Sequence, residues 1–249
     1  MSAIVCFDIR NFSTHVSHLA SGNQGKSKKV FEVVKSLFQS LDKAIGLANE
    51  KFGFQGKTYV VHTGDGFLSI FYGKGKCLQG LSVACVVANS FEKIIDEYNS
   101  AVKEEAILKN LPSLGYGVGI HIGTVQNFNY RPVYSSDDQT QGIGLLGHAI
   151  NLASRVQDTT KEHVFDIICT KKVFTDAISD IDQVYRGRLE HCFTDLGKHK
   201  LRGMQKPVTL YGVSIDLYGN LKPHFATLSN RQVDAGLTTH SSGRKKRRR

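Results

Sequence analysis

No stretch of this chain approaches the ~18 consecutive apolar residues of a membrane-spanning helix, so no uninterrupted apolar span is expected. No apolar leader opens it either, since an acid already stands at Asp8, so no secretory signal peptide is expected. Cysteine is sparse and odd in number: Cys6, Cys77, Cys85, Cys169 and Cys192 sit mostly inside apolar segments. They read as buried thiols of a reducing compartment, which excludes a disulfide framework or a zinc cluster and predicts a cytoplasmic protein. Tryptophan is absent, and no internal repeat is present.

What is there begins with charge. Six of the ten net positive charges lie in Arg244–Arg249, so the rest of the chain carries only +4. The terminal run predicts a disordered tail with weak, nonspecific attraction to nucleic acid or anionic surfaces. The 249 residues suit one domain plus that tail, divided here as 1–218 and 219–249.

The stretch around which the chain is organised is 57–73. Two β-branched and aromatic runs, 57–63 and 67–72, are joined through Gly64-Asp65-Gly66, which is a hairpin signal. Glycine permits close backbone approach, and an acid held between two glycines suits a hard cation. Alone, it is an ordinary Asp-Gly turn. Ala3–Ile9 reads as a buried strand interrupted by Asp8, whose carboxylate needs a partner or a metal. Asn11-Phe12-Ser13-Thr14 then forms a helix-entry loop. Residues 20–27 resemble a relaxed phosphate loop, but Ala20 replaces its first glycine and no strand precedes it. A flexible loop capping the next helix fits better.

Helical spacing of Val30, Phe31, Val34, Leu37, Phe38, Leu41 and Ile45 predicts a helix over 28–51, and a second spans 76–106. Residues 116–125 alternate aliphatic residues with glycines, and strand glycine marks close approach of another backbone or a ligand. His121 within it reads as a packed residue. Residues 126–141 read as a mobile polar loop. Gly147–Val156 reads as a helix that projects Asn151 and Arg155 from one face, a pair suited to gripping a phosphate-bearing substrate or simply to facing solvent. A strand at 164–170, a short helix at 171–178 and strands at 183–194 and 208–215 follow, with a basic turn at 196–203. The order predicts an α+β, ferredoxin-like βαββαβ arrangement, with helices on one face of a mostly antiparallel sheet.

Five stretches together resemble the catalytic domain of class III nucleotidyl cyclases over residues 3–215: Phe7–Ser13, Thr63–Phe67, Gly119–Gly123, Gly147–Arg155, and Asp195-Leu196-Gly197 through Lys206–Tyr211. The resemblance implies that Asp8 and Asp65, helped by the Ile9 carbonyl, hold two Mg²⁺ or Mn²⁺ ions. It implies that Asn151 orients the ribose and that Arg155 stabilises the transition state. Lys200 or Arg202 would take the terminal phosphates, and the N–H groups of Asn11, Phe12 and Ser13 would cradle them. Because the acids and the Asn/Arg pair of one family site come from different subunits, a head-to-tail homodimer is implied. Asn11 departs from the family's usual glycine, and Asn tolerates left-handed backbone better than most residues.

Substrate choice departs further. The family's adenine readers are a Lys four residues before the second metal acid and an Asp seven before the helix Asn; its guanine readers there are Glu and Cys. These positions hold Val61 and Gly144. Tyr59 shares a strand face with Val61 and could fill space that a purine would take; in a register shifted by one residue, His62 would be the reader. The stand-alone arrangement expected here resembles the bacterial pyrimidine cyclases of anti-phage signalling. It implies a phosphorus–oxygen lyase that makes cUMP or cCMP from UTP or CTP for a separate effector protein. An adenylate cyclase with atypical base recognition and an inactive nucleotide-binding domain are the alternatives.

Overall fold

Strict alternation of side chains gives the first strand, β1 (Ser2–Arg10), two different surfaces. Ala3, Val5, Phe7 and Ile9 enter the main core, whereas Ile4 and Cys6 join a smaller cluster on the other side of the sheet. Asp8 follows the second set. The structure, a computed structural model, describes residues 1–20, 24–52, 58–104, 110–130 and 142–222. The basic run 244–249 and residues 21–23 of the glycine-containing 20–27 stretch lie outside these.

After β1 come α1 (Phe12–Ala20), α2 (Gln24–Phe52), β2 (Thr58–His62), β3 (Gly66–Phe71), α3 (Lys76–Glu104) and β4 (Gly115–Gly123). A small pair follows, β5 (Gln126–Tyr130) and β6 (Gly142–Leu146), then α4 (His148–Thr159), β7 (Ile167–Thr170), α5 (Lys171–Asp180), α6 (Gln183–Glu190), β8 (Phe193–His199) and β9 (Val208–Val213). The main sheet runs β2-β3-β1-β4-β7-β9-β8, and β4·β7 is the parallel pairing in an otherwise antiparallel set among the described residues. The first four strands in that order form the expected split βαβ core.

The long helices α2 and α3 cover the face bearing Phe7. There Phe7 stacks between Phe67 (5.1 Å) and Tyr116 (5.5 Å) and meets Phe91 edge-on at 5.6 Å, which locks β3, β1 and β4 together one residue from Asp8. By length and composition α3 could cross a membrane, but 67% of its apolar window is buried inside the protein. Phe31, expected on the inner side of α2, is exposed; the buried stripe is Val33, Leu37, Leu41 and Ala44.

Not all helices lie on one face. α4 packs against β1 and β4 from the opposite side, onto the glycine stripe of β4. A Cβ at Gly119 would strike the Ala153 carbonyl and the Gln157 backbone, and one at Gly123 would strike Ala149. The glycines therefore mark a backbone approach, as the sequence predicts, and that backbone is α4. His121 is packed: its Nδ1 lies 3.0 Å from Thr170 Oγ1, and burial lowers its pKa to about 4.

Two segments differ from expectation. Residues 126–130, read as part of a mobile loop, form β5 and pair with β6; their polar composition hides a two-stranded ribbon, and 131–141 lie outside the described residues. Residues 183–190, read as part of a strand over 183–194, form α6; Val184 is exposed and Leu189, the seventh residue of the helix, is buried. The strand starts at Phe193 and extends through Leu196–His199, so the basic turn is confined to the residues after His199. Its polar, exposed side chains are those of an edge strand. Beyond β9, residues 217–222 are helical and bury Leu217 and Leu221, so regular structure continues past 218.

Candidate active site

Asp8 lies near the end of β1, paired with Gly66 on one side and Gly117 on the other. The β2–β3 turn delivers Asp65 to the same corner. Its carbonyl accepts the Ile9 N–H at 3.1 Å, and Thr63 N–H donates to the Gly66 carbonyl at 3.0 Å. Gly64 adopts φ 95°, and a Cβ at Gly66 would collide with the Phe7 carbonyl. Both glycines are thus required to hold Asp65 there. Burial, and then the charge of Asp65, push the Asp8 carboxyl up to about 6, against the opposing charges of Lys161 and Arg10. The Ile9 side chain is buried in the main core, and its backbone N–H is the one held by the Asp65 carbonyl.

Among the described residues no group of three or more His, Cys, Asp or Glu side chains gathers as a metal cluster. The corner offers two carboxylates that repel one another. That donor set fits a hard divalent cation, an ion that takes carboxylate and water oxygens.

Asn11 takes φ 65°, the single left-handed non-glycine residue described, and its Nδ2 donates to the Ser113 carbonyl at 2.8 Å. Phe12 and Ser13 open α1 directly after it. Buried His15 anchors this helix through Tyr98 Oη (2.9 Å) and the Pro112 carbonyl (2.7 Å).

Asn151 and Arg155 project from the outer side of α4, whose inner side buries Ala149, Leu152, Ala153 and Val156. With His148, Arg202, Gly203 and Met204 they line a cleft of about 240 Å³. Of the two cations left open by the sequence, Arg202 lines this cleft and Lys200 does not. Arg155 is paired with Asp158 at 3.1 Å, and Lys161 approaches the same carboxylate at 3.5 Å. Neither Asp8 nor Asp65 lines the cleft.

Val61 and Tyr59 share the sheet face on which α4 sits: Val61 pairs with Leu68, and Tyr59 with Ile70. Tyr59 meets Tyr72 edge-on at 5.7 Å. His62 points to the other face, against Phe38 at 4.1 Å, so the shifted register with His62 as reader does not hold. Gly144 lies in β6 opposite Phe128.

Three residues near the corner escaped the sequence reading. Arg10 ties the end of β1 to the Thr160 carbonyl (3.2 Å) and to Asp166 (3.1 Å). Asp158 enters through the last turn of α4, and Lys161 through the short 3-10 turn Thr160–Glu162 that follows it. Their signal was the i+3 charge spacing Arg155-Asp158-Lys161, legible only once the helix was known to reach Thr159. Cys6 stays a thiol, its pKa pushed up to about 12 by burial and by the charge of Asp8.

No family model matches this chain. Over 146 residues it is 27% identical to an adenylate cyclase of Anabaena cylindrica, a match that takes in 58% of this chain and 26% of that protein. Its structure resembles the adenylyl cyclase CyaB from P. aeruginosa (TM-score 0.58, 17% identity, 85% of this chain and 92% of that one). It also resembles the guanylyl cyclase Cya2 (TM-score 0.57, 17% identity, 85% and 90%). Adenylate cyclases from Trypanosoma brucei in their monomeric state align as well (TM-score 0.53, 17% identity, 86% and 89%). The chain therefore has the fold of class III cyclase catalytic domains, and it spans about a quarter of the curated relative it matches.

Proposed function

We propose that this protein is a nucleotidyl cyclase that converts a pyrimidine nucleoside triphosphate, UTP or CTP, to its 3′,5′-cyclic monophosphate and pyrophosphate. The observation that carries the cyclase reading is the pairing of an Asp8/Asp65 corner with an Asn151/Arg155/Arg202 cleft on this fold.

When bound at the acid corner, Mg²⁺ or Mn²⁺ would supply Lewis acidity toward the ribose 3′-oxygen and neutralise phosphate charge. The chain's own groups do the rest. Asn151 holds the ribose so that its 3′-oxygen lies in line with the α-phosphorus. As the new P–O bond forms, the 3′-hydroxyl proton passes to solvent water and the bond to pyrophosphate breaks, while Arg155 leaves Asp158 and offers its guanidinium to the charge on the α-phosphate. Arg202 takes the terminal phosphates, with Lys200 outside the cleft in a lesser role. Backbone N–H groups of Asn11, Phe12 and Ser13 close around the phosphates from the acid side.

The resemblance to the family supports a head-to-tail homodimer in which each site takes its acids from one subunit and its Asn/Arg pair from the other. Val61 and Gly144 supply neither purine-reading set, and removing hydrogen-bonding readers from such a site costs discrimination by about 10⁴-fold in strong cases. That absence, with Tyr59 on the same face as Val61, supports a pyrimidine. The role proposed for the product is a second messenger in anti-phage defence, read by a separate effector.

The similarity to the Anabaena protein favours a second reading, an adenylate cyclase with atypical base recognition. Purified protein incubated separately with ATP, GTP, CTP and UTP in Mn²⁺, with products identified by mass, separates the two. Cyclic UMP or CMP is the expected major product. Dominant cyclic AMP would replace the pyrimidine reading with the second one.

A further inference from the structure

Beside Asp8, on the side of the sheet that α4 covers, lies a buried niche rich in hydrogen-bond donors. Its floor is Gly117, the cross-strand partner of Asp8 on β4. A Cβ at Gly117 would lie 2.9 Å from Gln157 Nε2 and 3.3 Å from Arg10 Nη2, and closer still to Thr160 Oγ1. Paired residues of neighbouring strands share a face. The Asp8 carboxyl and this niche therefore stand side by side, and only glycine leaves the niche open.

Gln157 reaches it because α4 touches β4 so closely. A Cβ at Gly119 would strike the Gln157 backbone, whereas the Gln157 amide lies over Gly117. The side chain thus runs along β4 toward the acid corner. Gln157 is 3% exposed, and among the described residues its Nε2 has no hydrogen-bond partner. Arg10 Nε is also buried and has none among the described residues, although Nη2 of the same guanidinium donates to the Thr160 carbonyl at 3.2 Å and to Asp166 at 3.1 Å. Thr160 Oγ1 donates its own proton to the Gln157 carbonyl at 2.7 Å. A buried N–H without an acceptor is costly, and one such group in a folded protein calls for a specific cause. Here two of them flank a half-buried carboxylate, which is an acceptor.

We infer that Gln157 is a positioning residue for Asp8: with a divalent cation at the corner, Gln157 Nε2–H, with Arg10 Nε–H beside it, holds the Asp8 oxygen turned away from the ion, directly or through one water. This rests on the cyclase reading above and deepens it by naming what orients one of its acids. Carboxylates that ligate metals are themselves hydrogen-bonded, and loss of such a partner lowers metal affinity about 10- to 100-fold. In the sequence Gln157 is one polar residue near a helix end; the approach of α4 to the β4 glycines is what brings its amide to Asp8.

The test is Mn²⁺ titration of the nucleotide-free chain, read by the electron paramagnetic resonance of free Mn²⁺, for wild type, Asp8→Asn, Gln157→Met and Gln157→Leu. The binding that Asp8→Asn removes identifies the corner. Both Gln157 variants carry an apolar side chain of comparable size without the donor, so they should melt no lower than wild type in chelator. Their Mn²⁺ Kd at the corner is expected to rise about ten-fold or more. Inorganic tripolyphosphate titrated in chelator probes the cleft of Asn151, Arg155 and Arg202, and its Kd should stay at the wild-type value. An unchanged Mn²⁺ Kd in either folded variant overturns the inference. So does a rise matched by an equal loss of tripolyphosphate binding, which would mean that α4 has moved. Loss of folding in both variants overturns it as well, since a donor reserved for the ion-bound corner is not needed by the metal-free fold. If wild type shows no Mn²⁺ binding that Asp8→Asn removes, the metal part of the cyclase reading fails by itself, and the role of Gln157 falls with it.

Discussion

Replacing the half-buried acid of the corner should make the metal-free protein more stable. In Asp8→Asn the perturbation removes a charge that the fold holds against its preference. Burial, Asp65 and Asp158 raise the Asp8 pKa from 3.8 to about 6. That rise corresponds to ~3 kcal/mol of disfavour for the charged form. Asp8 is only partly buried, and solvent screening reduces this to ~1–2 kcal/mol. The sign follows from linkage. Between 3.8 and about 6 the folded chain retains a proton that the unfolded chain has released. Wild-type stability contributed by this group therefore falls as pH rises through that window. Asp8→Asn carries no such loss. Denaturant or thermal unfolding in chelator at pH 7.5 should show the variant more stable by ~1–2 kcal/mol, or roughly 2–8 °C in Tm, with the difference shrinking as pH falls below 6. Saturating Mn²⁺ should reverse the order, since the ion stabilises only a chain that binds it. A variant equal to or less stable than wild type at pH 7.5 in chelator would refute the account of this corner. The same substitution is expected to abolish turnover.

Two further outcomes bear on the site. Mixing inactive Asp65→Ala and Arg155→Ala chains should restore about a quarter of wild-type activity, because half of randomly paired dimers are mixed and each mixed dimer holds one intact site of two; absence of rescue with mixed dimers demonstrated by mass would remove the shared-site dimer. Arg202→Ala should raise KM at least ten-fold through loss of charge-assisted phosphate bonds, and Lys200→Ala by a few-fold at most; the reverse order in a kinetic assay would move the triphosphate contact to Lys200.

The parts of the fold that were legible in the sequence are those where packing and local pattern agree. Alternation in Ala3–Ile9 and helical spacing in α2 and α3 reflect burial against one continuous core, so periodicity alone located them. Segments with weak burial misled. α6 places β-forming Val184 in solvent, and β5 has polar residues on a ribbon outside the main sheet, so neither offers an apolar period to read. Residue identities singled out the two acids and the Asn/Arg pair as candidates, and left an ordinary turn and a solvent-facing helix side open until the family resemblance gave them roles.

Sequence by itself determined the chemical inventory: two acids, one of them between glycines, a helix face with Asn151 and Arg155, and a β4 glycine stripe that had to meet a backbone or a ligand. Tertiary structure decided what each met. It put α4 on the far side of the sheet, chose Arg202 over Lys200 as the cation in the cleft, turned His62 away from Tyr59, and laid Phe128 over Gly144. The physical reason is range: propensity and spacing act over a few residues of chain, whereas these choices are set by cross-strand register and helix–sheet contact between segments far apart in sequence.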